Sequence, residues 1–277
     1  MPRRRWLWGL LLAAPACAVF AVLFVVPQLE LLATSFGRPG PVTLSIYGRF
    51  FGDAYYLSLL GRSLWLGVIV TLVTLVLGFP LAYWLARLHS RWAPFLLLLV
   101  TFPLWVSALV RAFAWMVLFF RNGLLSRALQ ETGLVSADFQ LMFSFTGVVI
   151  ALAQVLLPLV VITLYAVIRG IDEDLENAAM NLGASPALAL WLVTVRLTAG
   201  GISAGALLVF SLSVSAFATP SLIGGARVPL VSIAIYEQTL ELLDWPFAAA
   251  MSAVLLVVAV VVAFISGRLG MPQAGRT

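Results

Sequence analysis

Apolar runs dominate the chain, and six of them are long enough to cross a bilayer. They fall at about Trp6–Thr34, Ser63–Ala86, Pro94–Phe119, Phe145–Ile168, Ile202–Leu222 and Pro246–Gly267. A helix needs roughly 20 apolar residues to span the hydrocarbon core, where every backbone N–H and C=O must be satisfied within the segment. The pattern predicts an all-α, polytopic membrane protein with six transmembrane helices. Polar residues gather between the runs, and one interval stands apart. "RGIDEDLENAAMNLGAS", Arg169 to Ser185, gathers four of the chain's acidic residues: Asp172, Glu173, Asp174 and Glu176.

That interval reads as helix, sharp turn, helix. Asp172, Asp174 and Asn177 can each cap a helix start, acidic side chains favour a first turn, and "LENAAMNL" is helix-forming. Gly183 then ends the helix, because glycine takes the left-handed conformation without a Cβ penalty. Ser185 as N-cap and Pro186 at the first position start a second helix in "ASPALALWLVTVRL". Ala178 and Ala179 leave a surface that a partner can approach closely, while Leu175, Met180 and Leu182 offer apolar contacts. A linker lying on lipid would connect the same spans, but such segments carry Arg or Lys against anionic headgroups. The acidic front favours a protein partner.

Composition removes other functions. The chain is 63% hydrophobic and 10% charged, against about a quarter charged for soluble domains. The net charge of +5 is spread over span ends, not gathered in a patch that would hold nucleic acid. Every basic residue is arginine, so no Walker A lysine exists to reach nucleotide phosphates. One His and one Cys cannot build a zinc site, and no Ser–His–acid arrangement is expected at His89, which falls at a span end. Cys17 cannot form a disulfide within one chain. No cofactor or catalytic residue is expected. Asp, Glu and His are missing from the middle of every span, leaving Arg111 as the clear intramembrane charge. A gradient-driven transporter would need such groups as an ion relay, so the driving force is expected from a partner.

Arginine placement sets an expected orientation. Arg3, Arg4 and Arg5 share a side with Arg87, Arg91, Arg169, Arg196, Arg268 and Arg276; the other side has Arg38, Arg49, Arg62, Arg121, Arg127 and Arg227. The excess favours both termini, and the acidic interval, in the cytoplasm. A cleaved signal peptide ending at Ala14-Pro15-Ala16 is the competing reading of the N-terminus, but the apolar run continues to Val26. The expected organisation is an N-terminal helix with a periplasmic segment (1–58), a transmembrane core (59–267) holding the loop 169–197, and a cytoplasmic tail (268–277).

"ENAAMNLGAS" followed by "VTVRLTAGGI" resembles the EAA loop of permease subunits of binding-protein-dependent ABC importers. "FPLWVSALVRAFAWMVLFFRNGLLS", "LLPLVVITLYAVIRGIDEDLENAAMNLGAS", "FATPSLIGG" and "LLDWPFAAAM" resemble the spermidine/putrescine-type permeases in particular. The resemblance implies a type I importer permease fold in the inner membrane, a second homologous permease subunit, two ATP-binding cassette subunits and a periplasmic solute-binding protein. It places coupling to the ATPase at Glu176, Asn177, Ala178, Ala179, Met180, Leu182, Gly183, Ala184 and Ser185. Ala178, Ala179, Gly183, Gly201 and Ile202 match the family loop. The family Glu falls on Asn177, with Glu176 about 100° around the helix, and its two prolines fall on Arg196 and Gly200.

Candidates for the translocation path follow from polarity and helix breaks. Arg111 near the centre of the third run, flanked by Trp105 and Trp115, should face a polar interior, a partner or the carbonyls of a neighbouring helix end. Ser211 and Ser215 share a helix face. "FATPSLIGG" is expected to break the fifth span at Pro220, beside Thr219, and to act as an outer gate. Gln154 and Pro158 mark either a polar lining or a packing kink. A polyamine is the solute that the resemblance implies, whereas Arg111 alone would suit an oxyanion.

Overall fold

The computed structural model describes residues 14–37, 40, 42–133, 135–136 and 140–269, and all regular structure among them is helical. The first residues of the first run, the arginines at 3–5, and the tail from 270 lie outside the described residues. Helix α1 is Ala14–Ser35, with a wide π turn at Ala21–Val25. Then come α2 (Ser45–Gly52), α3 (Ala54–Ala86), α4 (Ala93–Thr101), α5 (Ala108–Phe119) and α6 (Leu124–Glu131). Helix α7 is Phe145–Arg169, α8 Asp174–Asn181, and α9 Pro186–Ala189, which continues as a π-helix over Leu190–Val195. The chain ends in α10 (Ala199–Val214), α11 (Ala218–Ile223), α12 (Val231–Tyr236, then a π turn at Glu237–Glu241) and α13 (Trp245–Leu269).

Five helical stretches are long and apolar enough to span a membrane, and a sixth arises if the bent pair Pro186–Val195 and Ala199–Ser215 counts as one. Three runs differ from their sequence reading. Helix α3 begins at Ala54 and not at Ser63; Tyr55, Tyr56 and Arg62 lower the hydropathy there without opposing a helix. The third run is not one helix. After α4 it tightens into a 3-10 turn at Phe102–Trp105, goes extended at Val106 and Ser107 (ψ 136° and 138°), and restarts as α5. Pro103 has no N–H to continue the ladder, which frees carbonyls at the break. The fifth span breaks at residues 215–217, not at Pro220. Pro220 sits in the first turn of α11, where a missing N–H has no helical partner to lose.

The chain forms two compact units, the described residues of 1–57 with 234–257 and those of 58–233 with 258–277. In the first, Ser35 meets the Tyr47 hydroxyl at 2.7 Å, and Arg49 pairs with Asp244 at 2.9 Å while lying 4.1 Å over the Phe247 ring. In the second, α7 is the central helix, with 61% of its apolar window buried. Glycines bring its neighbours close. Gly67 of α3 faces Phe210 and Val214 of α10, Gly78 faces Val160 of α7, and Gly201 of α10 faces Val167 of α7, each with no room for a Cβ at normal distance. Small residues of this kind let spanning helices pack by van der Waals contact, the main attraction available in lipid.

Candidate functional site

The acidic interval folds as a short helix on a fixed turn. Asp172 Oδ1 accepts from the Asp174 N–H at 3.0 Å, and α8 starts there with Asp174 and Glu176 in its first turn. Negative side chains at that end complement the exposed N–H groups. At the other end the Ala184 N–H reaches the Ala179 carbonyl (3.1 Å) and the Gly183 N–H reaches the Met180 carbonyl (2.9 Å). These two bonds are a Schellman closure, with Gly183 at φ +95° in the left-handed region. Ser185 Oγ accepts from the Leu188 N–H at 3.3 Å, and Pro186 opens α9. The chain thus leaves α8 and re-enters helix within a few residues.

The side chains of α8 divide between two faces. Leu175, Asn177, Ala178, Met180, Leu182, Gly183 and Ser185 are exposed, Leu182 to 89%. Ala179, Ala184 and Glu176 are partly covered. Glu176 does not join the exposed set. Its carboxylate accepts from the Tyr83 hydroxyl of α3 at 2.7 Å, from Arg87 Nη2 at 2.6 Å and from the Thr194 hydroxyl at 2.5 Å. The Arg87 and Glu176 side chains are only 14% and 13% exposed. Burial pushes the Glu176 pKa up, but hydrogen bonds from Thr194, Tyr83 and Arg87, with the Arg87 charge, outweigh it and hold the carboxyl below its ordinary range. Burial pulls the Arg87 guanidinium down, and bonding and attraction to Glu176 more than restore it. Both are charged at neutral pH. Removing one member of such a mostly buried pair costs about 3–5 kcal/mol, because the other charge is left uncompensated.

Further bonds fasten the same corner. Arg87 Nη1 donates to the Ile171 carbonyl at 2.9 Å, and Arg169 Nη1 donates to the Ala86 carbonyl at 2.8 Å. Glu173 lies 3.7 Å from Arg87 and 3.4 Å from His89. Tyr83, Arg87 and Thr194 are the residues that sequence reasoning missed. The one signal for them was an arginine at a span end facing an acidic interval, and nothing in the order of residues pairs them.

The path candidates fall in two groups. Trp115 Nε1 donates to Gln154 Oε1 at 3.3 Å, bringing α5 and α7 together. Arg111 Nη1 donates to the Pro103 carbonyl at 2.5 Å, leaving Nε buried with no hydrogen-bond partner among the described residues. Trp105, at the end of the 3-10 turn, is 81% exposed. In the second group Ser215 Oγ bonds back to the Ser211 carbonyl at 2.8 Å, Ser211 is half-buried and Ser215 exposed. Thr219 and Pro220 are buried in α11, which packs against α5 and α7. Pro158 is buried within α7, which continues through it as a helix. An apolar cavity of about 520 Å³ lies between Leu75, Val76, Phe79 and Pro80 of α3 and Trp191 and Val195 of the π-helix. None of the polar candidates lines it.

Residues 76–269 match the family described as "Binding-protein-dependent transport system inner membrane component". The spermidine/putrescine transport system permease protein of Escherichia coli (strain K12) is 36% identical over 245 residues, covering 86% of this chain and 89% of that protein. Its counterpart in Haemophilus influenzae is 34% identical over 254 residues, covering 89% and 88%. Among solved structures, a bacterial alginate ABC transporter in complex with an alginate pentasaccharide-bound periplasmic protein superimposes with a TM-score of 0.78. It is 17% identical and covers 96% of this chain and 94% of the matched chain.

Proposed function

Because this chain belongs to the family of binding-protein-dependent transport system inner membrane components, we propose that it carries a polyamine through the membrane by coupling its spans, at α8, to a partner's ATP hydrolysis. The chain is a permease subunit of an ABC importer, a multi-pass inner-membrane protein with the type I permease fold. The coupling reading rests on one observation above the others. A short, rigid helix closed by Gly183 presents Leu175, Ala178 and Leu182 outward while its inward face is bonded to two spans. Exposed apolar side chains on a polar, charged segment mark a contact surface. The fit is to a soluble subunit in the cytoplasm, with both termini on that side.

The assembly has a second homologous permease subunit, two ATP-binding subunits and a periplasmic solute-binding protein, with membrane lipid around the spans. The polyamine assignment is supported by the two spermidine/putrescine permeases to which the chain is similar. Arg111 does not oppose it, since its guanidinium is turned onto the Pro103 carbonyl. The path runs beside the Trp115–Gln154 pair and the Ser211–Ser215 face, near the two breaks at residues 102–107 and 215–217, with Trp105 in the first and Thr219 and Pro220 in the helix that follows the second. Irregular backbone at membrane depth is tolerated where it lines a cavity or is buried in protein.

Uptake tests the reading. The complete importer in liposomes, with ATP inside and labelled spermidine plus binding protein outside, accumulates spermidine and continues when the proton gradient is collapsed. Uptake by the purified chain alone, driven by a pH or sodium gradient, contradicts it.

A further inference from the structure

The exposed face of α8 can pass on a movement only if its other face grips the spans. The polypeptide joins α8 to α7 through residues 170–173 and to α9 through the Gly183 turn, both short non-helical segments. A tug on α8 would be absorbed by rotation in those segments unless a cross-connection existed. Glu176 provides one. Its two oxygens collect donors from three places: Tyr83 in the last turn of α3, Arg87 just beyond it, and Thr194 in the π-helix. Arg87 is tied in turn to the Ile171 carbonyl at the entry to α8.

The third partner sits where the fold is easiest to bend. Thr194 is fully buried in the π-helix Leu190–Val195, and the chain turns through 72° between that segment and the helix beginning at Ala199. The Thr198 hydroxyl bonds back to the Thr194 carbonyl at 2.7 Å, so the same residue holds both the carboxylate and the bend. Wide turns and bends of this kind are where helices change course.

We propose that Glu176 is a positioning residue: with Tyr83, Arg87 and Thr194 it forms a joint that converts displacement of α8 into movement of α3 and of the bend in the fifth span. The proposal rests on α8 being the ATPase contact. The joint touches neither solute nor nucleotide, and its work is to keep hydrolysis and transport in step. Charge-assisted bonds from three donors suit that role, being stronger and more directional than apolar packing.

The test measures spermidine uptake per ATP hydrolysed by the reconstituted complete importer, together with the amount of ATP-binding subunit that co-purifies. Glu176→Gln and Arg87→Gln keep the ATP-binding subunit bound and continue to hydrolyse ATP, while uptake per ATP falls by roughly tenfold or more. The double variant is no worse than either single one, because both break the same joint. Tyr83→Phe and Thr194→Val remove one bond each, leave the ion pair, and lower the ratio by a smaller factor. If Glu176→Gln fails to assemble, those two variants decide. A wild-type ratio in every variant that assembles overturns the proposal, as does multiplication of the two single effects in the double variant. Leu182→Asp, on the exposed face, reports separately on the contact itself: retention of the ATP-binding subunit there overturns the docking reading on which the joint rests, whereas loss of the subunit there with wild-type ratios in the Glu176 and Arg87 variants overturns the joint alone.

Discussion

Arg111 and Glu176 are the two charged side chains for which the residue-by-residue reading and the three-dimensional arrangement diverge most. Arg111 is legible in sequence as an intramembrane charge with three candidate surroundings, and the structure gives it the carbonyl of a helix end; which carbonyl was not legible, because the break eight residues earlier lies inside the apolar run. The Arg111 bond goes to the Pro103 carbonyl, which lacks its helical partner, the Ser107 N–H, because the chain turns extended there, and which otherwise accepts only from the Val106 N–H at 3.3 Å. Arg111→Gln loses that bond and should lower the amount of assembled importer several-fold in size-exclusion chromatography, with uptake per assembled complex within about twofold of wild type. Normal assembly with transport abolished would instead place the guanidinium in the path. Glu176 was visible as part of an acidic interval. Its inward turn was not, since Tyr83 and Arg87 stand some 90 positions away.

At the scale of elements, the helix–glycine–helix of residues 174–189 was readable almost to the residue. Every determinant is local: acidic first turn, left-handed Gly183, Ser185 cap and Pro186 start. The longer spans were readable as hydropathy, as was a break toward the end of the fifth run, but its place and the other irregularities were not. The extended Val106 and Ser107 and the π-helix at Leu190–Val195 depend on packing and on Pro103, and they leave the apolar pattern unchanged. Gly183 gives the sharpest element-scale expectation. A Cβ there meets no neighbour within 4 Å, so the penalty of a side chain is confined to the backbone. Forcing a β-branched residue into the left-handed region costs about 1–2 kcal/mol, which shifts the turn and tilts α8. Gly183→Val should insert normally and lose solute-stimulated ATP hydrolysis by tenfold or more, whereas Gly183→Asn should retain much of it. Equal stimulation in wild type and Gly183→Val would remove the turn from the coupling.

The whole molecule is a membrane permease, and on the proposed reading its energy and part of its surroundings come from outside the chain. Helix α1 illustrates the dependence: none of its apolar window is buried, so lipid and partner must supply its surroundings. Fold class and family were legible because a bilayer imposes long apolar helices and the loop motif is local. Solute identity was less so, because the path candidates are few and mostly neutral. The central claim is that the exposed face of α8 meets the ATP-binding subunit on the cytoplasmic side. A permease with Cys17→Ser and Leu182→Cys, carrying a short photoreactive crosslinker on its one thiol, tests it in the assembled importer. The predicted result is an adduct between residue 182 and the ATP-binding subunit and, in the same variant without the crosslinker, a thiol protected from membrane-impermeant reagents applied outside intact cells. Labelling from outside, or no adduct with that subunit in an assembled complex, would contradict the account.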